Sequence, residues 1–191
     1  MFLLRRRLER AGYRTLRFHY PSRRMSPPEV AGRLARLVQE LGEERVHFVA
    51  HSLGGLVLRH LYHDRPQLPP GRAVTLGTPH QGSCVARELA RRRPGRWLLG
   101  ASIRQGLLGD LPPWPASREL GIIAGTLPLG LGRLICELPQ PNDGAVSLEE
   151  THLPGASGHV MVRASHLGLL WSPRCARMCI EFLRFGRFLP Q

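Results

Sequence analysis

Two hydrophobic periods alternate along the chain, one of about 3.6 residues and one of short unbroken apolar runs. "MFLLRRRLERA" has the helical spacing, and Gly12 is a suitable stop for it. "YRTLRFHY", residues 13–20, reads as a strand ending at Pro21. "SPPEVAGRLARLVQELG" predicts a helix starting at Ser26, with prolines in its first turn and Val30, Leu34, Leu37, Val38 and Leu41 on its apolar face. "RVHFVA" follows as a strand and "LGGLVLRHLYHD" as a helix closed near Pro66. "RAVTLGTP" and "ELGIIAGT" are apolar runs bounded by glycine and proline, the pattern of strands buried on both faces. "GHVMVRAS" is the last predicted strand, and "RCARMCIEFLRFGRF" an amphipathic closing helix.

Such alternation predicts an α/β fold, a mostly parallel sheet with helices on both faces. No repeat or linker divides the 191 residues, so one domain over 1–191 is expected. Between Gly82 and Arg118 the pattern loosens into glycine, proline and scattered leucines. This stretch, about 82–118, is expected to be a small cap-like insertion.

Composition narrows the class. Hydrophobic residues make up 42% and charged residues 21%, a balance that fits a packed domain and argues against disorder. No apolar run is long enough to cross a bilayer. The opening apolar patch is short for a secretory signal and lacks a small-residue cleavage site, so a cytoplasmic location is expected. The net charge is +13, and all 27 basic residues are arginine. Anionic membrane and nucleic acid are both candidate partners for such a surface, but no zinc-finger, RNP or basic-zipper pattern accompanies the arginines, so nucleic acid is the weaker. Of the four cysteines, Cys175 and Cys179 are spaced to share a helix face. No Cys/His set has metal-ligand spacing, and all four are expected to be buried thiols without a disulfide. No metal or organic cofactor is implied.

Candidate chemistry begins in "VHFVAHSLGGLVLRHLY", where an apolar strand runs through Ser52 into a helix. A hydroxyl at a sharp strand-to-helix turn needs small residues two positions either side; here they are Ala50 and Gly54, with Gly55 letting the helix approach the sheet. The plain alternative is a serine capping the helix. Serine becomes a nucleophile only when a histidine takes its proton and an acid holds that histidine's tautomer. Of nine histidines, His19 and His47 precede the serine on strands, His51 is its neighbour and is expected to point elsewhere, and His60 and His63 recede along the helix. His166, between the last strand and the closing helix, is the best-placed base, with His152 and His159 behind it. Asp143 in "QPNDGAVS" is the best-placed acid, although Asn-Asp-Gly is turn chemistry in its own right. Glu137, Glu149 and Glu150 are the fallback acids. Both favoured residues fall on loops after strands, the edge where parallel-sheet sites form.

"AHSLGG" at 50–55, "LGTPHQGS" at 76–83, "NDGAV" at 142–146 and "SH" at 165–166, in this order, resemble the α/β-hydrolase superfamily. More narrowly they resemble its bacterial lipase and esterase branch, which includes relatives of the GPI inositol-deacylases. "AGYRTLRFHYPS" is similar to that family's early helix-to-strand turn, so the resemblance extends over nearly the whole chain. It implies Ser52 as nucleophile, Asp143 as acid, His166 as base and the Leu53 N–H as an oxyanion donor. His80 is then a loop-shaping residue. The implied activity is hydrolysis of small-molecule or lipid carboxylic esters through an acyl-enzyme. Thioester hydrolysis and acyl transfer use the same three residues, and an impaired binding module shares the fold. The leucines between Trp97 and Trp114 suit either an apolar cover for an acyl chain or the insertion's own small core.

The sequence departs from the family at one point. A strand ending in a His-Gly loop, the source of the second oxyanion donor, should precede the first helix and lie between the strands at "YRTLRFHY" and "RVHFVA". The expectation is therefore an α/β-hydrolase fold lacking its N-terminal strands, with a reading frame that begins upstream.

Overall fold

The computed structural model describes residues 1–190. In chain order it contains α1 (Phe2–Arg10), α2 (Pro27–Leu41), β1 (Phe48–His51), α3 (Leu53–Asp64), β2 (Ala73–Leu76), α4 (Cys84–Ala90), α5 (Arg93–Leu99), β3 (Leu120–Gly125), α6 (Leu148–Thr151), β4 (Gly158–Val162) and α7 (Pro173–Phe185), with three short 3-10 turns between them. The four strands form one parallel sheet in the order β1-β2-β3-β4. Parallel neighbours need a crossover between them, and here helices supply most of it.

Alternation within each strand sends side chains into two cores. Ala73, Leu120 and Ile122 face one core with α2 and α3, built on Val30, Leu34, Val57, Leu58 and Leu61. Val74, Leu76 and Ile123 face the other, where Leu4 and Leu8 of α1 meet Cys175, Cys179 and Phe182 of α7. Helices therefore cover both faces, as the buried apolar runs of β2 and β3 require. Local chemistry sets the helix ends. Ser26 and Glu29 form a capping box at the start of α2, and Gly42 closes it in the left-handed conformation. Cys175 and Cys179 are buried free thiols on one face of α7, as their spacing predicts.

Two expectations are corrected. The segment 13–20 is not a strand. The Tyr13 ring meets His47 edge-on at 5.9 Å, just before β1. The Tyr20 hydroxyl lies 3.9 Å from where a Cβ on Gly54 would stand, just after β1. The segment thus accompanies β1 in the same direction, but among the described residues no ladder joins them, and β1 is a sheet edge. A strand is a pairing, and an apolar pattern cannot supply its neighbour. The second correction concerns sulfur. Cys84 and Cys136 form a disulfide across 52 residues, joining the start of α4 to the loop after β3.

Residues 82–118 are held to the body by two buried arginines that donate to carbonyls. Arg59 of α3 donates to Pro112 O at 2.7 Å, His80 O at 2.6 Å and Leu111 O at 3.4 Å. Arg118 donates to the carbonyls of Pro66, Leu68 and Pro69, with its guanidinium over the Tyr62 ring. Trp114 leaves the insertion to pack edge-on against Tyr62 at 5.1 Å, inside the α2–α3 core. Trp97 and Leu98 remain exposed.

Candidate active site

Ser52 stands at the junction of β1 and α3 with φ 53° and ψ −124°, a left-handed conformation that costs a non-glycine residue free energy. The turn is held from two sides. Ser52 N donates to Leu76 O at 2.9 Å, and Ser52 O accepts from Thr78 Oγ1 at 2.8 Å. Close packing of α3 on the sheet makes the turn this tight. A Cβ on Gly55 would meet Thr78 Oγ1 at 2.3 Å, and one on Gly54 would stand 3.4 Å from Ala50 Cβ. Alanine in place of glycine at position 50 is therefore accommodated by the glycine at position 54. Leu53 opens α3, so its N–H has no intrahelical acceptor.

On the same edge, Asp143 and His166 are joined. His166 Nδ1 lies 2.7 Å from Asp143 Oδ2, and His166 N donates to Asp143 O at 2.9 Å. The other carboxylate oxygen accepts from Ala145 N at 2.9 Å and Val146 N at 2.8 Å. Asp143 is 1% exposed, so these bonds satisfy a buried anion. A neutral imidazole whose Nδ1–H donates a hydrogen bond to a carboxylate keeps Nε2 as the acceptor. The Asn142–Gly144 turn orients the acid: the Asn142 side-chain oxygen accepts from Gly144 N, and its Nδ2 donates to Leu138 O and Pro139 O.

Two glycines that sequence reasoning passed over make room for this pair. A Cβ on Gly77, which directly follows β2 with φ 53°, would lie 2.9 Å from Asp143 Oδ2 and 3.0 Å from His166 Nδ1. A Cβ on Gly125, the last residue of β3, would lie 2.7 Å from Asp143 Cβ. Their one sequence signal is position, since each directly follows a buried apolar run.

His51 departs from the expectation that it points elsewhere. Its ring sits 4.5 Å from that of His166, and its Nε2 donates to His166 O at 2.9 Å. Burial, reinforced by the neighbouring His166, pushes its pKa down to about 4, so it is neutral and able to hold that bond near neutral pH. Through His51 the Ser52 turn is tied to the His166 loop. Ser52 Oγ itself makes no hydrogen bond to His166 among the described residues.

The remaining candidates lie elsewhere. Burial and nearby Arg59 hold His80 down to about 3; its Nε2 is 3.1 Å from Thr75 Oγ1 and its Nδ1 has no partner. Glu150 caps α6 through Ser147 and accepts from Cys84 N. His152 and His159 line an open groove of about 810 Å³ along α6, β4 and α7, which touches neither Ser52 nor His166. Glu137 is exposed. The residues offer no cluster suited to a metal ion among those described.

No protein-family model matches the chain. Solved structures do. The mature form of Bacillus licheniformis lipase BlEst2 is 22% identical with a TM-score of 0.60, over 84% of this chain and 72% of that one. The metagenomic carboxyl esterase MGS0156 is 21% identical with a TM-score of 0.65, over 86% of this chain but 57% of its own length. MGS-MChE2, an alpha/beta hydrolase enzyme from a sediment metagenome of the lagoon of Mar Chica, is 19% identical with a TM-score of 0.56, over 87% and 75%. At these identities the likeness establishes the fold.

Proposed function

We propose that this chain, with its α/β-hydrolase fold, cleaves carboxylic esters through an acyl-enzyme on Ser52. The observation that carries the proposal is the left-handed Ser52 turn, on the same sheet edge as a half-buried His166 whose Nδ1 is held by the buried Asp143 carboxylate. In this reading His166 Nε2 removes the Ser52 proton as Oγ attacks the ester carbonyl, and returns it to the departing alcohol. Water, deprotonated by His166, then releases the acid and restores the serine. Asp143 holds the imidazole and its developing charge without taking the proton. The Leu53 N–H, at the positive end of α3, faces the developing oxyanion. The Ser52–His166 hydrogen bond is left to the substrate complex, where such bonds tighten. Structural neighbours named as a lipase and a carboxyl esterase agree with this substrate class.

One oxyanion donor is assigned, and loss of a donor costs about a hundredfold to a thousandfold in turnover. Covalent labelling is therefore a better test than turnover. A fluorophosphonate probe is expected to label the chain, to fail on Ser52→Ala, and to react far more slowly with His166→Ala. Labelling that survives Ser52→Ala, or a wild-type chain that never labels, would end this reading; the latter leaves a non-catalytic module.

A further inference from the structure

We infer that the edge of the sheet bearing Ser52 and His166 is a docking surface for an anionic lipid layer. The inference names how the substrate of the proposed hydrolase is presented, and rests on that reading only for its link to catalysis.

In a parallel sheet, every loop that follows a strand starts from the same edge. The loop after β3 carries Leu129, Leu131 and Leu134, which are 65%, 74% and 82% exposed. The loop after β4 carries His166 and, beside it, exposed Leu167 and Trp171. The excursion after β2 carries exposed Trp97, whose ring lies 4.1 Å from the Arg23 guanidinium; Arg23 follows the segment that accompanies β1 to this edge. Leucines and tryptophans so exposed on several loops that start from one edge are more than singly scattered residues would supply.

Charge selects the occupant. Residues 21–28, 89–109, 126–136 and 163–172 hold nine arginines, among them Arg23, Arg96 and Arg133, and not one Asp or Glu. The carboxylates that flank these stretches are few. Glu29 is engaged by the Ser26 cap and Glu88 by Arg91; Asp110 and Glu137 border the others. Apolar tips set among arginines, with few carboxylates beside them, match a lipid layer with anionic headgroups. Leucine and tryptophan enter the acyl boundary while guanidinium groups stay at the phosphates. Nucleic acid would use the arginines but leave the leucines in water.

The test uses the full chain as Ser52→Ala, so that binding is read without turnover. Co-sedimentation is measured with vesicles of phosphatidylcholine alone and of phosphatidylcholine mixed equally with phosphatidylglycerol. Partitioning is expected to be at least about tenfold stronger on the mixed vesicles and to weaken with added salt. Leu131→Ser with Leu134→Ser should reduce it by about tenfold or more. Arg96→Ser with Arg133→Ser should reduce the preference for the anionic vesicles. Arg65→Ser, next to the end of α3 and away from these loops, should leave binding unchanged, and thermal melts should show every variant folded. Equal binding to both vesicles, or binding indifferent to the leucine and arginine pairs, would overturn the inference. Loss of vesicle binding in the leucine pair, with fluorophosphonate labelling of the same changes on the Ser52 background intact, separates this surface from the catalytic reading.

Discussion

At the scale of single residues, the candidate site depends on groups that do no chemistry. Gly77 leaves the space in which Asp143 and His166 meet. Gly77→Ala adds a methyl group within 3.0 Å of both partners at a positive φ, so one of them must move. Fluorophosphonate labelling of Gly77→Ala is expected to slow at least about tenfold while the circular dichroism spectrum stays native, because a small misplacement of a base is costly. His51 is a positioning residue of the same kind. His51→Gln keeps a donor for His166 O and should retain most of the labelling rate; His51→Leu should lower kcat on a soluble ester without raising KM. Equal rates in both variants would show that the His51–His166 bond is incidental. The strand-to-helix turn at Ser52 and the loop positions of Asp143 and His166 were legible because order and loop position are written in the chain. Gly77, Gly125 and the contact of His51 were not, because each matters through a residue distant in sequence, 18 positions away for Gly125 and more than 60 for the other two.

At the scale of elements, legibility followed the source of each element's stability. α2 and α3 were readable because period and stop residues are local, and α2 has a capping box besides. The segment 13–20 was misread because its apolar pattern is real, and several of its side chains do pack on the core, while its hydrogen-bond partner is not present in the described sheet. The loosened pattern of residues 82–118 was visible in the sequence, but the attachment of this stretch through Arg59 was not, since an arginine in a helix ordinarily reads as solvated. That attachment is testable. Arg59→Met preserves much of the stem and removes the donors to three carbonyls. Leaving buried acceptors unpaired costs about 1–3 kcal/mol each, so urea unfolding should show a loss of about 3 kcal/mol. Limited proteolysis should cut first within residues 82–118. A variant as stable as the wild type would mean that water replaces the guanidinium without loss.

At the scale of the whole molecule, acid and reductant should act through different parts. His80 is pushed from the usual 6.5 to about 3 and His51 to about 4, both chiefly by burial. A folded chain that refuses protons the unfolded chain accepts is stabilised fully above pH 6.5 and loses that contribution as pH falls toward 4 and then 3. Melting temperature should therefore decline over that window, and His80→Gln should flatten the decline. The disulfide gives the second dependence. Closing a loop of 52 residues restricts the unfolded chain and is worth about 4 kcal/mol on the chain-entropy account. Cys136 lies seven residues before Asp143, and its partner Cys84 donates its backbone N–H to Glu150, seven residues after Asp143. The bond thus spans the loop that carries the acid. Reduction, or Cys136→Ser, should lower stability by that amount and slow labelling of Ser52, whereas Cys175→Ser should leave labelling unchanged. Such bonds persist in oxidising surroundings and are reduced in a cytosol, so a chain recovered from a reducing compartment should carry two titratable thiols more than one recovered from an oxidising one. Thiol counting by mass after alkylation reads the difference. Identical counts from both, with all four cysteines alkylated, would remove the bond and with it the restraint on the Asp143 loop.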